Sequence, residues 1–217
     1  MEMKEILAYV DHTALKPTAS WEDVRRLCEE AVLYGTASVC IPPCYVERVK
    51  QLFGEKVRIC TVVGFPLGYQ TTRVKVAETR DAIEKGAAEV DMVVNLADVK
   101  NAEFEKVTQE IAALKKAAGS HILKVIVEAC YLTEEEKISL CRAVTRAGAD
   151  YIKTSTGFGT GGARLEDVRL FRRHIGKDVK IKAAGGIRTK AEMEAFLREG
   201  CDRIGSSGAV ALAGEGA

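Results

Sequence analysis

The stretch TEEEKISLCRAVTRAGADYIKT, residues 133–154, holds one complete structural unit of this chain. Thr133 followed three residues later by Glu136 reads as a capping box, the signature of a helix start. The amphipathic run behind it stops at Gly148, where a glycine tolerates the left-handed backbone that ends a helix. After a short spacer, Tyr151–Thr154 is an apolar, β-rich run. The same order of helix, glycine, spacer and strand recurs at Gly35, Gly86 and Gly200. Thr189 with Glu192 forms a second capping box, and Ser20 with Asp23 is a weaker version. Strand-like runs occupy Ala37–Ile41, Val57–Val63, Glu89–Val94, Ile122–Val127, Tyr151–Thr154, Val179–Ala184 and Arg203–Ser206, with a short one at Tyr9–His12.

Eight strands alternating with helices specify a parallel sheet. A closed (β/α)8 TIM barrel, one domain over residues 1–217, fits the strand count and the length. The rival is an open doubly wound sheet. No G-x-G-x-x-G follows the first strands, which leaves a dinucleotide-binding version without support. The formal net charge of +1 gives no reason to expect a nucleic-acid or membrane partner. The N-terminal MEMKEILAYVDHT lacks the apolar core of a signal peptide. No apolar run approaches the ~20 residues that span a bilayer. Seven cysteines without paired spacing read as reduced thiols, and the expected compartment is the cytoplasm.

Strands of a parallel barrel are buried on both faces, and their side chains alternate between helices and barrel interior. Val90, Met92 and Val94 share one face and leave Asp91 on the other. Leu123, Val125 and Val127 leave Lys124 and Glu128. Ile152 opposes Lys153, and Val179, Ile181 and Ala183 oppose Lys180 and Lys182. The apolar faces belong under the helices, so these charges should point inward. In Ala37–Ile41 the same argument turns Cys40 inward, toward the barrel mouth. Burying unpaired charges is expensive. Several inward charges together therefore mark a polar site, which in this architecture forms at the carboxyl ends of the strands.

The segments YIKTSTGFG (151–159) and KIKAAGGIRT (180–189) carry a resemblance, supported by VDMVVN (90–95), LKVIVEA (123–129), TVVGFPLG (61–68) and DHTALKP (11–17). From about Asp11 to Val210 the chain resembles the 2-deoxyribose-5-phosphate aldolase family of class I aldolases. The resemblance implies a (β/α)8 barrel and reversible, metal-free cleavage of 2-deoxy-D-ribose 5-phosphate to D-glyceraldehyde 3-phosphate and acetaldehyde. It implies Lys153 as the Schiff-base lysine, Lys182 as the second catalytic lysine and Asp91 as the proton-relay carboxylate, with Lys124 beside it. It also implies a homodimer or homotetramer. Four positions depart from the family pattern. Ala184 stands where a Ser is common, Pro42 replaces an Asn, Ala129 a Thr, and Gly208 the second Ser of the RIGTSSG segment.

These residue types suit the chemistry. A neutral lysine amine forms an iminium that acts as electron sink for the breaking bond. A second cation disfavours protonation of a neighbouring amine, and Lys182 supplies one. Gly157, Gly185, Gly186 and Ser207 are the candidates for holding a phosphate through exposed backbone N–H groups. The expected partners are a small phosphosugar and an aldehyde, with no cofactor. His12, His121 and His174 lack ligand spacing, so no metal site is expected. Other Schiff-base phosphosugar aldolases, and a phosphosugar-binding barrel without lyase activity, are the competing readings.

Overall fold

A computed structural model describes residues 1–214 of the chain. Its strands are β1 (Val10–Thr13), β2 (Ser38–Ile41), β3 (Ile59–Val63), β4 (Glu89–Val93), β5 (Ile122–Ile126), β6 (Tyr151–Lys153), β7 (Lys180–Ala184) and β8 (Arg203–Ser206). Each pairs in parallel with its sequence neighbour, and β1 pairs with β8, so the sheet closes into a barrel and the open-sheet rival is excluded. The observed strands lie within the expected runs or differ by one or two residues at the ends, where pairing gives way to loops.

The helices are α1 (Met3–Leu7), α2 (Trp21–Tyr34), α3 (Val46–Phe53), α4 (Thr72–Glu84), α5 (Leu96–Lys100), α6 (Phe104–Ala118), α7 (Glu134–Arg146), α8 (Leu165–His174), α9 (Lys190–Arg198) and α10 (Ala209–Gly214). Both capping boxes form at Thr133 and Thr189, and the Ser20–Asp23 version also forms completely. Gly35, Gly86, Gly148 and Gly200 all take positive φ, as their position after a helix requires. No helix among the described residues is long and apolar enough to cross a membrane.

The main core lies between barrel and helices. Val90, Met92, Leu123, Val125, Ile152 and Ile181 belong to it and are fully buried, each on the outward face that alternation assigned. The other face of the same strands is polar. A second, small apolar cluster of Cys40, Cys60 and Val62 lies apart from that core, with Leu15 and Phe65 packed against it. Outside the barrel, Lys75 on α4 and Glu110 on α6 form a buried ion pair at 2.9 Å. Lys75 Nζ also donates to the Val93 carbonyl at the end of β4.

Candidate active site

The inward faces of β1, β4, β5, β6, β7 and β8 bring seven charges into one network. Register sets the neighbours: Asp91 lies beside Lys124, and Lys153 beside Lys182. Lys124 Nζ reaches Asp91 Oδ1 at 2.9 Å and Glu89 Oε2 at 2.5 Å. Asp91 Oδ2 accepts from Lys153 at 2.8 Å and from Lys182 at 2.7 Å. Lys182 also contacts Asp11 Oδ2 at 2.5 Å. Arg203 closes the network from below by donating to Asp11 and Glu89. All seven residues are buried. Breaking such pairs is costly because a buried charge without its partner loses several kcal/mol.

Burial alone would raise the Asp91 carboxyl, but Lys124, Lys153 and Lys182 outweigh it and hold the group well below the usual carboxylate range. Burial would likewise lower Lys124 and Lys182. Asp91 raises Lys124, helped by Asp11 and Glu89, and Asp11 and Asp91 raise Lys182, so both lysines are held above the ordinary lysine value. Asp91 is thus a carboxylate, and Lys124 and Lys182 are cations, at neutral pH. Lys153 and Lys182 both bond one oxygen, so their nitrogens are at most the two bond lengths apart, about 5.5 Å. Lys182 is therefore the neighbouring cation that the sequence suggested, with one correction. Asp91 stands between the two lysines and Asp11 flanks Lys182, so its charge reaches Lys153 already partly compensated.

Above this network opens a cleft of about 1080 Å³. Lys153, only 3% exposed, is the single member of the network among its lining residues. Gly157, Gly185, Gly186 and Ser207 line the same cleft, so the structure brings the four phosphate candidates together. Gly185 and Gly186 take φ of 87° and 79° in succession, so no Cβ covers the turn. At Gly185 an added Cβ would also lie 3.2 Å from Gly162 Cα. Ser207 is exposed, whereas Ser206 is buried, with its hydroxyl donating to the Ile187 carbonyl. Phe158 on the cleft wall meets Phe65 edge to face at 5.4 Å, tying the loop after β6 to the loop after β3.

Three expectations need correction. Cys40 turns inward but is wholly buried with Cys60 under Leu15 and Phe65, and is absent from the cleft wall. Glu128 does not face the barrel interior. The chain leaves β5 at Ile126, Glu128 adopts a left-handed φ of 51°, and its carboxylate accepts from the Thr156 N–H and hydroxyl. Lys180 is exposed at the start of β7, its ammonium 5.8 Å from the Tyr151 ring centroid, because the barrel opens to solvent at that end too.

Several residues escaped the sequence reading. Asp11, Glu89 and Arg203 complete the ion network; Glu89 shares its face with Asp91, so alternation alone would have found it. Cys60 Sγ lies 3.1 Å from Asp91 Oδ1 and 3.3 Å from Lys124 Nζ. Gly205 on β8 makes room for Lys182, since a Cβ there would be 3.3 Å from Lys182 Cε and 2.9 Å from Ala184 Cβ. The donor sets Cys40–Cys60–Asp91 and Asp11–Cys60–Glu89 fall within metal-binding separations. Their carboxylates are already engaged by lysine and arginine, which a metal ion would have to displace.

Residues 5–213 match the model of the family described as DeoC/LacD family aldolase. A deoxyribose-phosphate aldolase of Clostridium botulinum (strain Alaska E43 / Type E3) is 61% identical over 212 residues, covering 98% of this chain and 96% of that one. One from Clostridioides difficile (strain 630) is 57% identical over 205 residues, 94% of each. Among solved structures, the tetrameric deoxyribose phosphate aldolase from Aeropyrum pernix superposes with a TM-score of 0.91 at 33% identity, covering 99% of this chain and 92% of that one.

Proposed function

The chain belongs to the DeoC/LacD family of aldolases, and from that premise we propose that it cleaves 2-deoxy-D-ribose 5-phosphate reversibly, through a Schiff base on Lys153, to D-glyceraldehyde 3-phosphate and acetaldehyde. The observation that carries the assignment is the position of Lys153. It alone of the barrel's charged network borders the cleft, and its amine is bonded to a buried carboxylate.

Retro-aldol cleavage leaves an electron pair on the carbon that loses its partner, and an iminium takes up that pair. Lys153 Nζ adds to the C1 aldehyde of the open-chain sugar, and the carbinolamine loses water. Removal of the C3 hydroxyl proton breaks the C2–C3 bond and releases glyceraldehyde 3-phosphate. The enamine left on Lys153 takes a proton at C2, and hydrolysis frees acetaldehyde and the amine. Asp91 is the relay for these protons. Its Oδ2 is shared by Lys153 and Lys182, so a proton passing between the two nitrogens crosses a single oxygen. Lys124 keeps Asp91 ionised and in place, and Asp11 does the same for Lys182.

The phosphate sits at Gly157, Gly185, Gly186 and Ser207, where uncovered backbone and a hydroxyl face the cleft. No metal is required, because the iminium supplies the electrophile. The tetrameric relative from Aeropyrum pernix supports a homo-oligomer, dimer or tetramer, and the free cysteines suit the cytoplasm. Borohydride reduction in the presence of acetaldehyde, followed by peptide mapping, tests the reading. The adduct is expected on Lys153 with loss of activity. An adduct confined to another lysine, or none, overturns it.

A further inference from the structure

The barrel interior also holds two thiols that this chemistry leaves idle. Cys40 on β2 and Cys60 on β3 are Cα partners in the register of adjacent strands, and both are fully buried. Neighbouring strands lie roughly 4.8 Å apart, and disulfides join Cα atoms roughly 4.4–6.8 Å apart. The side chains use that proximity. Both sulfurs and an Asp91 oxygen lie within 4.8 Å of one another. A divalent cation is a poor occupant, because Asp91 already serves three ammonium groups. The thiols are therefore better placed to react with each other.

We propose that Cys40 and Cys60 form a redox-active dithiol that a small peroxide closes into an intramolecular disulfide. The two sulfurs are unequal. The neighbouring Cys60 thiol and the Lys182 charge hold the Cys40 thiol below its ordinary value, against burial. Burial, with Cys40 and Asp91, pushes Cys60 well up. Cys40, which gives up its proton the more readily, is the sulfur that attacks, and Cys60 the one that resolves. Cys40 gives up its proton as its sulfur bonds one peroxide oxygen, the O–O bond breaks, and the departing hydroxide takes that proton to leave as water. Cys60 sulfur then attacks the Cys40 sulfenic acid. The S–S bond forms, the S–O bond breaks, and the hydroxide leaves with the Cys60 proton as a second water. The sulfur pair loses two electrons, which reduce the peroxide.

Closure removes the Cys60 thiol from Asp91 Oδ1, where it lies at 3.1 Å, and so disturbs the carboxylate beside Lys153. Activity falls on oxidation and returns on reduction. Leu15 and Phe65 cover the pair, which favours small oxidants over bulky ones.

The test uses the whole reduced protein, treated with hydrogen peroxide, quenched with catalase, alkylated after denaturation and mapped without reduction. A Cys40–Cys60 cross-linked peptide is expected, with loss of two hydrogens in mass. Aldolase activity should fall in proportion to the cross-link, and dithiothreitol should restore both. Cys60→Ser should give no cross-link. Recovery of both residues as free thiols while exposed Cys44 is oxidised overturns the proposal. So does inactivation that dithiothreitol cannot reverse and that tracks sulfinic acid at Cys40. A complete cross-link with unchanged activity overturns the coupling to Asp91. The mapping does not depend on the aldolase reading, so the two can fail separately.

Discussion

Asp91→Asn removes one negative charge from among three lysines while keeping the size of the side chain. It breaks or weakens three ion pairs, at 2.7, 2.8 and 2.9 Å to Lys182, Lys153 and Lys124. They do not weigh equally. Lys124 retains Glu89 at 2.5 Å, and Lys182 retains Asp11 at 2.5 Å. Only Lys153 has no second carboxylate partner among the described residues. The cost is therefore that of one uncompensated buried charge, about 3–5 kcal/mol, and not three times that. The lysine cluster relieves it by releasing a proton that the unfolded chain keeps. The unfolded state then binds more protons than the folded one, so the variant's stability rises with pH, by up to about 1.4 kcal/mol per unit. In the parent, Asp91 is held low and Lys124 and Lys182 high, so these three contribute no such slope near neutrality. Urea unfolding of both proteins from about pH 6 to about pH 9 reads the difference. The gap should be largest at the acid end and narrow as pH rises. A variant as stable as the parent, or a gap constant across the range, refutes the network reading.

Gly205→Ala and Gly186→Ala make the same chemical change with different expected outcomes. At Gly205 the new Cβ meets Ala184 at 2.9 Å and crowds Lys182, so overpacking should cost about 1–3 kcal/mol and lower kcat. At Gly186 nothing lies within 4 Å, so the φ of 79° alone should cost roughly 1–2 kcal/mol, and the kinetic effect should fall on KM for the phosphorylated substrate. Melting curves and steady-state kinetics of the pair decide; equal effects on kcat would sink the distinction. Ser207→Asp should raise KM for deoxyribose 5-phosphate far more than for unphosphorylated deoxyribose, and parallel changes would remove Ser207 from the phosphate site. Exhaustive chelation should leave activity intact; a loss that zinc restores would point to metal-assisted cleavage instead.

Much of the site was legible in the chain because side-chain alternation in a strand is a local property. Val90–Met92–Val94 and Leu123–Val125–Val127 mark the outward faces, which leaves Asp91 and Lys124 inward without any knowledge of their partners. Capping boxes and terminal glycines located the helices for the same reason, since each depends on residues a few positions apart. The resemblance of YIKTSTGFG and KIKAAGGIRT to one aldolase family singled out Lys153 and Lys182. Periodicity assigns a face but says nothing of depth along the barrel or of which distant strand lies opposite. The Asp11–Arg203 contact joins residues 192 apart in sequence and exists only because β8 closes onto β1. The sharing of Asp91 Oδ2 by two lysines, the burial of Cys40 against Cys60, and the turn of Glu128 onto Thr156 are likewise products of closure and strand register. Alternation reports which residues enter the barrel; the closed sheet alone decides which of them meet.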